Sequence, residues 1–397
     1  MIEQAILLAA GRGTRMWPLS ATRPKPLIPV ASRPLLVHLL DSLEGAGLRE
    51  AVVVVPPGDA VRRALGPRRG RVRIRYAVEK RPLGTGHALL QARRMAAQRF
   101  LVLNGDAWAP PEELRRLARF RGHALGFRRV ERPAGYGVVL RRGSRVAGLQ
   151  EKPERPASRE VNAGLYALDR SILALLEEAP RSPRGEIELT WALGRLLKQS
   201  RVGAVPCPRS LDVSYPWDLL ALNARLLEGL RPAVRGTVEK GATLLGPVEV
   251  GPGSRIRAGA YIEGPALVGR DCDIGPNCFI RASTSIGDSV RIGNGVEVKN
   301  SIIMNRARIG HLSYVGDSVV GENCNFGAGT ITANLRLDEG PVRVFRDGKG
   351  FDSGLRKLGA VLGDGVHTGI HCSLNVGTIV GPGVRLPPAR LVSGEVR

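Results

Sequence analysis

The chain of 397 residues is long enough for two or three ordinary domains, and its apolar fraction of 43% is that of a globular protein. Only 4% of residues are aromatic while 50 are Gly, so the core must be mostly aliphatic and the glycine excess needs a local cause. The formal charge of +23 admits anionic partners, yet no block of five or six basic residues, zinc-finger spacing or aromatic ribonucleoprotein motif accompanies it, so nucleic acid is not indicated.

The five cysteines (Cys207, Cys272, Cys278, Cys324, Cys372) are odd in number and scattered, which argues against a disulfide framework and for a reducing compartment. Met1-Ile2-Glu3-Gln4 has neither the basic nor the apolar region of a signal peptide, and no run of 18 apolar residues exists. The expectation is a cytoplasmic chain with no membrane partner.

Residues 5–10 read as a buried strand, 35–45 as a helix and 52–55 as a second buried strand. A helix over 85–97 and a strand over 100–103 follow, the strand running into Asn104-Gly105-Asp106. This alternation predicts an α/β domain with a mostly parallel sheet over residues 1–230.

From about residue 236 the rhythm changes. Apolar residues recur every six positions: Val238, Leu244, Val250, Ile256, Ile262, Val268, Ile274, Ile280, Ile286, Ile292, Val298 and Met304. Five-residue steps then lead to Ile309 and Val320, and the series resumes at Leu362, Thr368, Leu374, Val380 and Leu386. A period of six fits neither helix nor plain strand, but it fits a solenoid that turns a corner every six residues with the aliphatic side chain pointing inward. Gly beside the repeat, as at Gly251, Gly269, Gly275, Gly287 and Gly293, accounts for the glycine excess. Residues 335–358 break the hexads and read as a projecting loop. The second domain is thus residues 236–397.

Residues 5–30 read AILLAAGRGTRMWPLSATRPKPLIPV. A buried strand enters a turn in which Ala10, Gly11 and Gly13 let backbone N–H groups approach phosphate closely, and Arg12, Arg15 and Lys25 add cations there. Fixed donors and cations of this kind stabilise charge on a transferring phosphoryl group and its leaving pyrophosphate. Asp106 ends a predicted strand, where α/β sheets place their ligands. Only eight residues are Lys against 51 Arg, and Lys25, Lys152 and Lys299 all fall in motif positions, where a compact ammonium differs from a guanidinium.

Gly11-Arg12-Gly13-Thr14-Arg15 followed by Pro24-Lys25-Pro26 resembles the signature of sugar-1-phosphate nucleotidylyltransferases. The resemblance runs through most of residues 1–230 and implies a Rossmann-like α/β fold, with Arg15 and Lys25 catalytic and Ala10, Gly11 and Gly13 on the nucleotide. Leu83-Gly84-Thr85-Gly86-His87-Ala88 resembles the base-binding loop, implicating Gly84 and Thr85, with His87 structural. Glu79 stands where related enzymes often carry a base-reading Gln; a carboxylate accepts from a pyrimidine N3–H but cannot donate to a carbonyl. By the same resemblance Gly137, Glu151 and Asn162 contact sugar hydroxyls, Lys152 lies near the sugar phosphate, and Asp106 holds Mg²⁺ with Asp212 as second ligand and Asp218 in support. Trp191 stands where relatives often have Asp.

Residues 309–334 read IGHLSYVGDSVVGENCNFGAGTITAN, far richer in polar side chains than a spacer coil needs. Arg281 and Lys299 follow the inward Ile280 and Val298 where the repeat usually has Gly. A His near neutral pKa suits removal of a proton from an attacking ammonium. The stretch is similar to the acetyltransferase part of bifunctional glucosamine-1-phosphate acetyltransferase/N-acetylglucosamine-1-phosphate uridylyltransferases, archaeal-type. That resemblance implies a left-handed parallel β-helix of hexapeptide repeats, His311 as base, and Arg281 and Lys299 on the sugar phosphate. It further implies Tyr314 and Asn325 on the sugar, Asn334 at the acetyl-CoA thioester, and a homotrimer.

The substrates so implied are a nucleoside triphosphate (UTP or dTTP), sugar 1-phosphates and acetyl-CoA. Two other readings compete. One is a monofunctional pyrophosphorylase making dTDP-glucose, ADP-glucose or GDP-mannose, whose β-helix serves assembly or regulation. The other is a non-enzymatic assembly subunit, which the joint presence of Arg15, Lys25, Asp106 and Asp212 disfavours.

Overall fold

The structure, a computed structural model, describes all 397 residues. The chain divides into two compact units. One comprises Met1–Arg12, Lys25–Leu27 and Leu35–Val213; the other comprises Gly13–Pro24, Ile28–Pro34 and Ser214–Arg397. The grouping does not follow the chain: residues 13–24 and 28–34 pack with the second unit, although their neighbours in sequence belong to the first.

The first unit is built on a ten-stranded sheet. Gln4–Leu8 lies at its centre, parallel to Glu50–Val55 on one side and to Arg99–Asn104 on the other. All five residues of Gln4–Leu8 are buried, as a strand covered on both faces requires. One apolar cluster, with Leu7, Val53, Leu101 and Leu36, fills one face; another, with Ile6, Val52, Val102 and Phe100, fills the other. Beyond Arg99–Asn104 the sheet turns antiparallel, because the ten-residue strand Glu160–Asp169 pairs in opposite sense with both Arg99–Asn104 and His123–Arg129. The sheet is therefore mixed: Arg99–Asn104, Gln4–Leu8, Glu50–Val55 and Val72–Val78 run parallel, and antiparallel pairs flank them on both sides. The expected helix over 85–97 is also shorter, Thr85–Gln91; the bonds Ala92 N to Leu89 O and Met95 N to Ala92 O tighten the chain into three-residue turns after it.

The second unit holds three parallel sheets of nine, eight and eight short strands. Successive strands of one sheet are consecutive coils, so inward residues stack in register, as Ile256, Ile274, Ile292 and Ile309 do. This is the parallel β-helix, consistent with the left-handed coil expected. Its interior is one aliphatic column, with Ile262, Ile280, Val298 and Val315 each 0% exposed, and burying each such side chain contributes about 1.5–3 kcal/mol. One hexad shifts: Ile303, not Met304, is in register with Ile286 and Val320, so the first five-residue step ends at Ile303. Met304 is buried as well, which is why spacing alone did not separate the two. After Ile331–Thr332 the chain leaves the coil and returns at Val361–Leu362. The excursion is ordered: Arg343–Arg346 and Lys349–Asp352 form an antiparallel hairpin, with Val342 and Val344 buried at its base.

Candidate active sites

In the first unit the candidate residues converge at the ends of the central strands. Arg99–Asn104 is followed by Gly105, whose N–H bonds the Leu8 carbonyl at 2.9 Å; a Cβ on Gly105 would lie 2.6 Å from that oxygen. This close approach sets Asp106 directly beyond the end of Gln4–Leu8. The short strands Ala107–Trp108 and Leu211–Asp212 pair antiparallel with Asp212 opposite Ala107, and Val213 N–H bonds the Asp106 carbonyl at 2.9 Å. Two carboxylates about a hundred positions apart in sequence thus become neighbours. Lys25 Nζ lies 2.7 Å from Asp106 Oδ2, and Arg128 Nη2 donates to Asp212 Oδ2 at 2.6 Å. Burial pushes the Asp212 carboxyl up, the nearby Asp106 charge adds to this, and Arg128 opposes it.

The predicted sugar residues also meet. Asn162 N–H bonds the Gly137 carbonyl at 2.8 Å, and a Cβ on Gly137 would meet Glu151 Oε2 at 3.5 Å and Asn162 at 3.7 Å. Asn162 Nδ2 donates to Tyr166 Oη at 2.7 Å, and its Oδ1 accepts from Gly164 N–H at 2.9 Å. Lys152 sits at φ 44°, its Nζ 3.9 Å from Glu151 Oε1. In the base-loop motif, Gly84 has φ 107° and a Cβ there would come within 2.6 Å of the Ile187 carbonyl, so only Gly fits. Thr85 Oγ1 accepts from Leu189 N–H at 3.2 Å. Glu79, 2% exposed, has its Oε1 engaged by His87 Nδ1 at 2.6 Å and by Leu83 N–H at 3.4 Å.

Arg15 belongs to the second unit, where its guanidinium lies 5.7 Å from the centre of the Tyr215 ring, itself stacked on Trp217. Asp218 Oδ2 accepts from Ser214 and Tyr215 N–H at 2.8 and 2.7 Å, so it holds that turn.

On the β-helix the site grows around one carboxylate. Asp317, 4% exposed at φ 49°, accepts from Asn300 Nδ2 at 2.7 Å and from Asn334 Nδ2, with Lys299 Nζ 3.6 Å away. Asn334 also donates to Tyr314 Oη at 3.1 Å. Burial first, then the Asp317 charge, raises the Tyr314 phenol above its ordinary value, so it stays protonated. A Cβ on Gly316 would lie 2.4 Å from Tyr314 Oη and 2.8 Å from Asn334 Nδ2; the ring lies over a glycine because nothing larger leaves room. Lys299 pairs with Gly316 in register, and Arg281 sits one coil earlier with Nη1 3.0 Å from Glu297 Oε1. His311 is exposed at the end of strand Arg308–His311 on the adjoining sheet, opposite Asn294. Asn325 is in register with Arg308, three residues away along that sheet, and makes no side-chain bond to the Asp317 group.

A family model described as nucleotidyl transferase matches residues 4–228, and one described as the GMPPB C-terminal domain matches residues 262–383. Among curated relatives, the "Bifunctional protein GlmU" of Methanococcus maripaludis is 38% identical over 396 residues, covering 99% of this chain and 95% of its own. The "Bifunctional sugar-1-phosphate nucleotidylyltransferase/acetyltransferase" of Sulfurisphaera tokodaii is 36% identical, covering 99% of this chain and 98% of its own. This chain belongs to that bifunctional family. A UDP-glucose pyrophosphorylase structure, 22% identical, covers 57% of the chain and 100% of itself at a TM-score of 0.52, which supports the fold of the nucleotidyltransferase part.

As a bifunctional nucleotidyltransferase/acetyltransferase, the protein carries side chains at both sites that the sequence reading passed over. Arg128 is one: its sequence neighbours are ordinary strand residues, and only the folded sheet brings it to Asp212. Asp317 is the other, and it had a signal, since an acid within Val315-Gly316-Asp317-Ser318 interrupts a hexad beside Tyr314. Trp191 packs partly buried against the apolar cluster of the first unit, with Arg195 5.8 Å over its ring, so at that position the chain has packing rather than a carboxylate.

Proposed function

We propose that the β-helix acetylates the amine of glucosamine 1-phosphate with acetyl-CoA, and that the nucleotidyltransferase part joins a sugar 1-phosphate to UTP or dTTP. The sugar phosphate is N-acetylglucosamine 1-phosphate or glucose 1-phosphate. The observation that carries the bifunctional assignment is the polar knot at Asp317, since a coil used only for assembly needs no buried carboxylate collecting Lys299, Asn300 and Asn334.

In acetyl transfer, His311 takes a proton from the sugar ammonium. The freed amine attacks the thioester carbonyl, the C–N bond forms, the C–S bond breaks, and coenzyme A leaves as the thiol with the second proton given up by the attacking nitrogen. Arg281 and Lys299 supply the cations for the sugar phosphate, Tyr314 and Asn325 hold sugar hydroxyls, and Asn334 polarises the acyl oxygen. The exposure of His311 supports its part; Asn334 Nδ2 spends its two N–H groups on Tyr314 and Asp317, so it exchanges one of these partners for the acyl oxygen when the thioester binds.

In nucleotidyl transfer, a sugar-phosphate oxygen attacks the α-phosphorus and pyrophosphate departs; the phosphate needs no base, so alignment dominates. Asp106 and Asp212 fit Mg²⁺: two hard carboxylates side by side leave places for waters and phosphate oxygens. That ion, when bound, neutralises charge on the α-phosphate and the leaving group. Arg15 and Lys25 add fixed positive charge, Gly11 and Gly13 open the backbone to phosphate, and Gly137, Glu151, Lys152 and Asn162 orient the sugar phosphate. Glu79 keeps one oxygen without a protein partner, an acceptor suited to a pyrimidine N3–H and unsuited to the lone pair that cytosine or adenine presents there. A cytoplasmic homotrimer completes the proposal, on the family resemblance alone.

A panel crossing nucleoside triphosphates with hexose and hexosamine 1-phosphates tests both halves, following pyrophosphate and free thiol together. The expected result is pyrophosphate with UTP or dTTP, and thiol only with glucosamine 1-phosphate. No thiol release with any amino sugar would overturn the acetyltransferase assignment.

A further inference from the structure

The hairpin that interrupts the β-helix has no part in the coil, yet it is ordered and Arg346 beside its tip reaches the turn that carries Arg15. Arg346 Nη1 donates to the carbonyl oxygens of both Thr14 and Arg15, each at 3.2 Å. These carbonyls belong to the 3₁₀ turn Thr14–Met16, which follows Gly13 at φ 63°. Carbonyls at the end of so short a turn have few internal partners: Thr14 O accepts only a long 3.3 Å bond from Trp17 N–H. The Arg346 side chain is held in turn, 18% exposed with its guanidinium 5.7 Å over the Phe351 ring. Phe351 tilts against Tyr215 at 6.1 Å between ring centres, and Tyr215 is the ring beneath the Arg15 guanidinium. The hairpin thus reaches Arg15 by two routes, its backbone through Arg346 and its side chain through Phe351 and Tyr215.

The same segment is pinned further along. Arg397 lies 5.1 Å over the Trp17 ring and pairs with Asp347 at the hairpin tip, and Asp347 N–H bonds Glu395 at 2.6 Å. Arg23 binds Glu322 at 2.7 Å and also Asp364, and Thr22 donates to Asp364 at 2.6 Å. All of these contacts lie inside the second unit, which includes Gly13–Pro24.

We infer that the inserted hairpin is a positioning element for nucleotidyl transfer: Arg346, with Phe351, fixes the conformation in which Arg15 meets the triphosphate. The inference rests on the proposed role of Arg15. A flexible loop can carry the same charge, but it must first lose conformational freedom, and misplacing a cation by about 1 Å can cost on the order of 100-fold in rate.

The test uses the full-length protein and measures both reactions in one preparation. Arg346→Ala is expected to lower kcat for pyrophosphate release by roughly 10- to 100-fold, with KM for the sugar phosphate little changed and thiol release from acetyl-CoA retained. Retained acetyl transfer shows that the coil is folded. Phe351→Leu is expected to act in the same direction, less strongly. The discriminating measurement is the cycle with Arg15→Ala. If Arg346 works through Arg15, adding Arg346→Ala to Arg15→Ala changes the rate little further. Additive losses, or a wild-type kcat in Arg346→Ala, would overturn the inference. A wild-type protein without any pyrophosphate release would instead remove the nucleotidyltransferase reading on which it rests.

Discussion

The two candidate sites are assembled in opposite ways. On the β-helix, Arg281, Lys299, Tyr314 and Asn334 come from successive coils of one sheet, so neighbours in space are about one coil apart in sequence. In the sheet unit, Lys25, Asp106, Arg128 and Asp212 come from four distant segments that meet only because parallel strands end together and one short antiparallel pair closes beside them. A coil converts sequence spacing into distance almost one for one, whereas a sheet mixes its order. Their buried acids differ too. Asp317 is fully partnered, while Glu113 in the sheet unit, 1% exposed, has one oxygen bonded by Arg209 N–H at 2.9 Å and the other without a hydrogen bond.

If the sites are as independent as this contrast implies, each activity can be removed alone. His311→Ala should abolish most acetyl transfer, a loss on the order of 10²–10⁴-fold, and leave pyrophosphate release intact. Asp106→Asn should do the converse, reducing nucleotidyl transfer on the order of 10²–10³-fold with thiol release unchanged. Loss of both activities in either variant would break the comparison.

Asp317→Asn sharpens it. The amide still fills the space, but Lys299 loses its counter-charge and Asn300 and Asn334 lose part of their shared acceptor, at about 1–3 kcal/mol or roughly 10- to 100-fold in sugar-phosphate binding. The expected readout is a raised acetyl-acceptor KM; an unchanged value would make the knot merely structural.

The smallest effect concerns Glu113. Burial raises its carboxyl above the ordinary range, so the native state binds its proton more tightly than the unfolded chain does. Its contribution is therefore fully present at low pH and is lost as pH rises through the raised value. Glu113→Gln should remove that loss, raising stability at neutral pH, with the advantage over wild type vanishing in acid. Urea melts across pH would show it, and a variant less stable at every pH would contradict it.

Legibility followed the same contrast. Hexad spacing located most inward residues of the coil; it took Met304 where Ile303 is in register, and it did not name Val315, Phe326 or Val392. The segment at 335–358 could be seen as an interruption, but nothing in its spacing showed that Arg346 would reach the carbonyls of Thr14 and Arg15. Gly137, Glu151 and Asn162 were found through their motifs and do meet, yet Arg128 carried no motif and was invisible until the sheet was folded.

By itself the sequence determined the α/β rhythm, the solenoid and its period, the glycine-bearing phosphate turn and the polar enrichment of residues 309–334, since each is set by local periodicity or short-range steric need. Only the tertiary structure decided that the sheet is mixed, that Asp212 lies beside Asp106, that Asp317 gathers three side chains, and that residues 13–24 pack with the coil unit. Those outcomes depend on contacts between residues far apart along the chain, whose pairing is chosen by the packing of the whole unit and leaves no period to read.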